Sequence, residues 1–443
     1  MKIRNLAMAA ILAAALPVLT ACPEVDPTPV DPVINPEDTL DFVDVRYGTA
    51  NCVLAYDKTE VEFDVTAYAV NPFNHVTLES WKGEFKAEKP VEAKVWWSEN
   101  TLTLGSATLN GNKVTVSGIS GTGNGGVVIL NEAGEILWSY HIWKPEIDPT
   151  AKLDKYRSTG NEAMIINLGA TKYIDEKNNK SIPATAGCYY QWGRKDPLGR
   201  PTMLNARNQA TSAMVAVKSI PGGKQWKSTS TNFLGDTVYV KSFFTEDTTD
   251  QSRKLIAYSI KNPTTFITSY SATHNNWSSI SAEYEDNYLW GAMKTCYDPC
   301  PEGYQVGSAH AFSGFCGDGN SNDAVEAINA LNKDMGTSSS TSLHGYFFLY
   351  SGAVETEKNN FYPACGSRNA QGIFNKVGLM GYYYSYTWGT AYGRSLIFGD
   401  KDNTFSTSYV IATRYGSYRG SGYQIRCVKE MVGQVEPEPP VED

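Results

Sequence analysis

The side chains best equipped for chemistry in this 443-residue chain are eight cysteines, five histidines and a crowd of tyrosines near the C-terminus. Cysteines serve as metal ligands, nucleophiles or disulfides, and their spacing separates these roles. Cys296-Tyr-Asp-Pro-Cys300 has a spacing that zinc tolerates, but no second close Cys or His pair accompanies it. Leaving Cys22 aside, the others are Cys52, Cys188, Cys296, Cys300, Cys316, Cys365 and Cys427. Six of these seven lie after residue 180, as expected for crosslinks in an oxidising compartment. Six cysteines allow 15 pairings, all open to the sequence, and Cys52 is the expected odd one out. The histidines, His75, His141, His274, His310 and His344, are scattered without an H-E-x-x-H spacing. No G-x-S-x-G elbow and no Walker A loop occurs. The carboxylates Glu283 and Glu285 read as solvated surface. Asp318-Gly-Asn320-Ser-Asn322-Asp323 resembles the start of a calcium loop, but glycine is missing at the sixth position and Asn329 replaces the bidentate glutamate. A helix N-cap loop is the simpler reading there, with calcium near Asp318 as the alternative. Gly121-Thr-Gly123-Asn-Gly125-Gly126 fits G-x-G-x-x-G, yet it precedes a strand rather than a helix and reads as a loop. No cofactor and no enzyme is expected, and a glycan-acting hydrolase is the residual catalytic reading.

The tyrosines carry the stronger signal. GYYYSYTWGTAYG, residues 381–393, places four tyrosines and a tryptophan between Tyr382 and Trp388. As a strand it would show Tyr382, Tyr384, Tyr386 and Trp388 on one face and Tyr383, Ser385 and Thr387 on the other, so one face must be core. Residues 381–427 hold nine of the 27 tyrosines, interleaved with Ser, Gly, Thr and Arg, which is the composition of a paratope. The expected ligand-binding residues are Tyr386, Trp388, Tyr392, Arg394, Tyr415, Tyr418 and Arg419.

These residues need a scaffold, and the chain supplies two regions of different texture. Residues 42–147 read as a small β-sandwich. Val61, Phe63 and Val65 alternate with Glu62 and Asp64; Asn110-Gly111 joins two alternating runs in 107–116; and 127–143 repeats the hairpin pattern around Asn131 to Gly134. Residues 152–430 are rich in Gly, Tyr, Trp, Ser and Asn, with one expected helix at 321–336. Such a loop-rich domain calls for covalent support.

The ends of the chain suggest an address. Lys2 and Arg4 precede a short apolar run, Leu6 to Leu19, which reads as an export signal over residues 1–21. It closes on Leu19-Thr20-Ala21-Cys22, which resembles a bacterial lipobox and so implies lipidation at Cys22. An acidic Pro-rich tether, 22–41, and an acidic tail, 431–443, are expected to be disordered. The net charge of −9 argues against nucleic acid and against anionic lipid, leaving the lipid anchor as the only expected membrane contact.

The stretches 47–56, 136–143, 166–171, 188–199, 297–308 and 422–430 together resemble surface lipoproteins of Bacteroidota that carry the Fibrobacter succinogenes major paralogous domain. The motifs Gln191-Trp192-Gly193-Arg194-Lys195-Asp196-Pro197 and Cys300-Pro301-Glu302-Gly303 are the most specific. That domain is similar to the fold shared by C-type lectins and formylglycine-generating enzymes. The resemblance implies a Cys300–Cys427 bridge. Cys188 and Cys296 stand where the family more often has aliphatic residues, which implies that they pair with each other and leaves Cys316 with Cys365. The calcium triplets of sugar-binding C-type lectins and the paired catalytic cysteines of the formylglycine-generating enzymes are not found here. The expected fold is therefore α+β and β-rich, an N-terminal β-sandwich followed by a C-type lectin-like, loop-rich, disulfide-bonded domain. The expected function is adhesin-like binding of a glycan or protein at the outer membrane surface, with a fimbrial or pilus-associated subunit as the alternative.

Overall fold

A computed structural model describes residues 50–65, 88–155, 161–174, 183–201, 237–239, 249–268, 276–279, 289–315, 345–348, 361–389, 392–399 and 411–430. The export signal, Cys22, tether, tail, Cys316, the helix expected at 321–336, the Asp318 loop, Glu283, Glu285, His75, His274 and His344 lie outside these residues. The protein is β-rich α+β, with several small sheets, one α-helix among the described residues and one disulfide.

Alternation builds the first region. Strands β1 (Cys52–Leu54), β2 (Glu60–Asp64), β3 (Glu92–Ser98), β4 (Ser106–Asn110), β5 (Lys113–Ser117), β6 (Gly123–Leu130) and β7 (Ile136–Lys144) form two sheets. One has the order β1-β7-β6-β3 and the other β2-β5-β4, with β1 parallel to β7. In β2 the apolar Val61 and Phe63 are buried and Glu62 is exposed, as a half-buried strand requires. The Asn110-Gly111 turn joins β4 to β5 with Asn110 opposite Lys113 and Gly111 at φ +63°, a conformation that glycine adopts without penalty. Phe63 meets Tyr140 of β7 with ring centroids 4.7 Å apart, which ties the two sheets together.

The glycine run 123–126 is not the loop its spacing suggested. It is the buried start of β6, paired with β3 and β7. A Cβ on Gly126 would lie 2.2 Å from Trp97 Nε1, and one on Gly125 would lie 2.6 Å from Leu104 Cδ1. Glycine is needed there so that Trp97 and Leu104 can lie flat on the strand.

The second region is a set of short sheets. Its elements are β8 (Leu153–Lys155), β9 (Glu162–Met164), β10 (Tyr190–Gln191), α1 (Thr249–Lys261), β11 (Tyr304–Val306), β12 (Ser367–Arg368), β13 (Phe374–Asn375), β14 (Gly381–Gly389), β15 (Tyr392–Phe398), β16 (Ile411–Tyr418), β17 (Gly422–Tyr423) and β18 (Cys427–Lys429). The larger sheets run β8-β9-β18-β11, β10-β17-β12-β13 and β14-β15-β16, beside two-stranded pairs of Thr237–Tyr239 with Phe266–Thr268 and of Gly345–Phe347 with Phe361–Pro363. Helix α1 buries Leu255, Ile256 and Ile260, packs against β7 and stops before Pro263, which cannot continue it. Among the described residues no helix is long and apolar enough to cross a membrane.

Cys300 and Cys427 form the disulfide, closing a loop of 127 residues. A loop of that length is worth about 5 kcal/mol in the chain-entropy account. Because Cys300 is oxidised, Cys296 and Cys300 do not act as a zinc pair. The expected Cys188–Cys296 bridge is absent: both are buried thiols, and the Cys188 sulfur lies against Gly169 instead. Cys365, expected to join Cys316, is likewise a buried thiol. Burial pushes the thiols of Cys52, Cys188 and Cys365 up, which keeps them protonated and inert.

One hydrophobic cluster runs from Cys52 to Cys427 through both regions. The described residues belong to a single compact unit within Thr39–Asp443.

Candidate functional site

Strand β14 has aromatic residues on both faces, and both faces of its first half are core. Tyr383 enters a cluster with Phe398 and Tyr362, at centroid distances of 5.9 and 4.9 Å. Tyr382 and Tyr384 pack on Tyr423 at 5.0 and 4.4 Å. Burial raises the hydroxyl pKa of all four rings, so they stay neutral hydrogen-bond donors. The rings of 382–384 are therefore filling, placed between two clusters that only the folded sheet brings to its opposite sides. The register shifts between Tyr384 and Trp388, and beyond that irregularity Tyr386 and Trp388 are half-buried against the main core.

The accessible aromatic surface comes from β15 and β16. Tyr392 stands opposite Tyr418 and Arg394 opposite Gly416, so these four positions share a face. The Tyr392 and Tyr418 rings are 5.5 Å apart, and Tyr418 is 37 % exposed. Partial burial, then the neighbouring Tyr418 and Tyr415, hold the Tyr392 hydroxyl above its ordinary pKa. A Cβ on Gly416 would come within 3.5 Å of the Tyr392 ring and 3.6 Å of Arg394 Nη1. Glycine thus leaves a shallow floor between a tyrosine and a guanidinium. Tyr415, at 39 % exposure, lies on the same strand but opposite the buried Ser395.

Arg419, expected at the surface, is instead 1 % exposed beneath this sheet. Its guanidinium lies 4.4 Å over the Trp192 ring, and its Nη2 donates to the carbonyls of Gly389 and Tyr392 at 3.3 Å each. The stacking on Trp192 and the two carbonyls offset part of the cost of burying the cation. Arg419 fixes the connection between β14 and β15. The serines are also structural rather than adaptable surface donors. Ser385 Oγ donates to the Arg394 carbonyl at 2.9 Å, and Ser395 and Ser417 share a hydroxyl hydrogen bond of 2.6 Å.

The residues that sequence reasoning missed lie under the site. Gln191 donates to Ile267 O and Gly420 O, both at 2.8 Å, and Trp192 Nε1 donates to Ser385 O at 2.9 Å. Arg194 donates to Thr265 O at 2.6 Å. Lys195 lies 4.5 Å over Trp138 and contacts Asp196 at 2.8 Å, while Ser139 Oγ donates to Asp196 at 2.6 Å. The Gln191–Pro197 motif is thus a buried hub joining β7, the end of α1 and the tyrosine sheet. Its density of polar residues next to tryptophan was the available signal.

Ser139, Asp196 and His141 also line a small cavity with room for about one water. Its chemistry is closed. The serine and lysine are buried, and Asp196 holds both. Two other buried carboxylates are neutralised in the same way: Glu99 by Arg200, and Asp298 by Lys294. Among the described residues no three His, Cys, Asp or Glu side chains gather as a metal site.

Compared with family models, with curated proteins and with solved structures, the chain matches none.

Proposed function

We propose that this chain is an outer-membrane surface lipoprotein that binds an extracellular glycan or protein without catalysis. The binding face is the outer side of β15–β16, with Tyr392, Tyr418 and Arg394 as contacts and Arg419 as the support beneath; Tyr415, opposite Ser395, and Trp388, opposite Gly393, belong to the other side of the sheet. One observation carries the reading: two tyrosine rings and a guanidinium lie side by side over a glycine floor. The polar inner side of the sheet fastens that arrangement, so little side-chain entropy is lost on binding. Tyrosine rings suit such a role because they offer rigid amphipathic area. The lipobox resemblance at Cys22 and the six stretches that resemble major paralogous domain lipoproteins support the surface address and a C-type lectin-like fold for 152–430.

The test is a glycan and mucin binding screen with the full-length protein beside Y392A/Y418A. The double variant is expected to lose most binding while melting within a few degrees of the parent, since both rings are partly solvated. Equal binding by the two proteins rejects this face.

A further inference from the structure

We propose that the ligand of the β15–β16 face is an anionic saccharide, one bearing carboxylate or sulfate groups. This inference rests on the binding reading above and narrows its ligand class. Charge is the first argument. The chain carries 47 acidic and 38 basic residues, yet strands β14, β15 and β16 contain Arg394 and Arg414 and no Asp or Glu. An anion repelled by the acidic chain as a whole is attracted to this island.

Arg414 supplies the second argument. It is half-buried, and its Nε is shielded from water without a hydrogen-bond partner. Desolvating a charged donor without pairing it is costly, and an anion against the accessible remainder of the side chain offsets that cost. Guanidinium groups engage planar and tetrahedral oxyanions through paired N–H donors, which lysine cannot reproduce. Arg394 Nη1 reaches the Arg414 carbonyl at 3.4 Å, which places the second guanidinium beside the first residue's backbone.

Size decides between saccharide and protein. A stable protein interface takes about 800 Å² and 20–30 residues on each side. Among the described residues the face comprises Tyr392, Arg394, Arg414, Gly416 and Tyr418, too few for that but enough for a short run of sugar rings. The C–H face of a pyranose stacks on the tyrosines, while its acidic group meets the arginines.

The experiment measures binding of the full-length protein to polygalacturonate, dextran sulfate and neutral dextran, with R394Q, R414Q and Y392A/Y418A in parallel. Binding is expected to one or both charged polymers and not to dextran, weakening as NaCl rises from about 0.05 M to about 0.5 M. Which charged polymer binds better tells carboxylate from sulfate. R414Q is expected to weaken binding about tenfold or more, the loss of one charge-assisted contact, and Y392A/Y418A to weaken it as well. If R394Q melts early, R414Q decides alone, because Arg414 is only half-buried and stands outside the buried core. Dextran bound as tightly as the charged polymers, with R414Q unchanged and Y392A/Y418A impaired, overturns the anionic class and leaves the binding face standing. Binding lost in R414Q but intact in Y392A/Y418A overturns the saccharide in favour of charge alone. No binding to any of the three polymers overturns the inference, and the glycan and mucin screen then judges the face by itself.

Discussion

His141 and Asp154 are both buried, and their titrations pull stability in opposite directions. His141 Nε2 donates to Asn124 Oδ1 at 2.9 Å and the ring stacks on Trp97 at 6.5 Å, and burial lowers its pKa from 6.5 to about 3. The folded state therefore refuses a proton that the unfolded chain takes up, and stability falls as pH drops from about 6.5 towards 3. Burial, opposed by the charges of Arg426 and Lys152, raises Asp154 from 3.8 to about 6. Here the folded state holds a proton that the unfolded chain releases, so stability rises as pH drops from about 6 towards 3.8. Each slope is about 1.4 kcal/mol per pH unit, and between pH 6 and 4 they nearly cancel. Asp154→Asn is expected to uncover the histidine slope, with urea midpoints falling steadily below pH 6.5. His141→Gln is expected to uncover the aspartate slope, with midpoints rising over the same range. Parallel pH profiles for the two variants would contradict both assignments.

At the scale of elements, the tyrosine sheet depends on close approach at two glycines that differ in kind. A Cβ on Gly393 would lie 2.5 Å from Trp192 Cδ1, inside the core, whereas one on Gly416 meets only ordinary contacts on the outer floor. Gly393→Ala is expected to cost about 1–3 kcal/mol by overpacking and to displace Tyr392 and Arg394 with it. Gly416→Ala is expected to leave the melting temperature nearly unchanged while raising the floor between ring and guanidinium, so ligand binding weakens without loss of fold. Thermal unfolding beside binding separates the two. The strands 60–64, 106–117 and 127–143 were legible because alternation and an Asn-Gly turn are local signals. Helix α1 was not, since its apolar residues 255, 256 and 260 are few and β7 provides the surface that makes them a face. The candidate face was half legible for the same reason. Tyr392, Arg394 and Tyr418 lie outside the alternation of β14, and they do form the outer face. Arg419 reads as surface in any local window, and its burial depends on Trp192, more than two hundred residues earlier in the chain.

At the scale of the molecule, the first, two-sheet region and the loop-rich region share polar contacts that neither can satisfy alone. Asn51 Nδ2 donates to Cys296 O at 2.6 Å and to Asp298 O at 2.9 Å, and Trp143 Nε1 donates to Ala170 O at 2.7 Å. Arg200 forms a two-pronged pair with Glu99 at 2.8 and 3.0 Å, and both are buried. Asn124 links that glutamate to Gly169 O at 2.8 Å. Separating the regions near residue 150 would strand Arg200, Lys195 and Asp196 without Glu99 and Ser139. Breaking one buried pair costs about 3–5 kcal/mol, comparable to a whole domain's margin of stability. The Cys300–Cys427 bridge restrains only the second region and replaces none of these contacts. A fragment of residues 152–430 is therefore expected to stay expanded, with dispersed near-ultraviolet dichroism lost and rapid proteolysis. The oxidised full-length chain should unfold in one calorimetric transition. Two separable transitions, or a fragment that melts cooperatively at the parent temperature, would mean that the first region is detachable and that the buried hub at Gln191–Pro197 does not couple it to the tyrosine sheet.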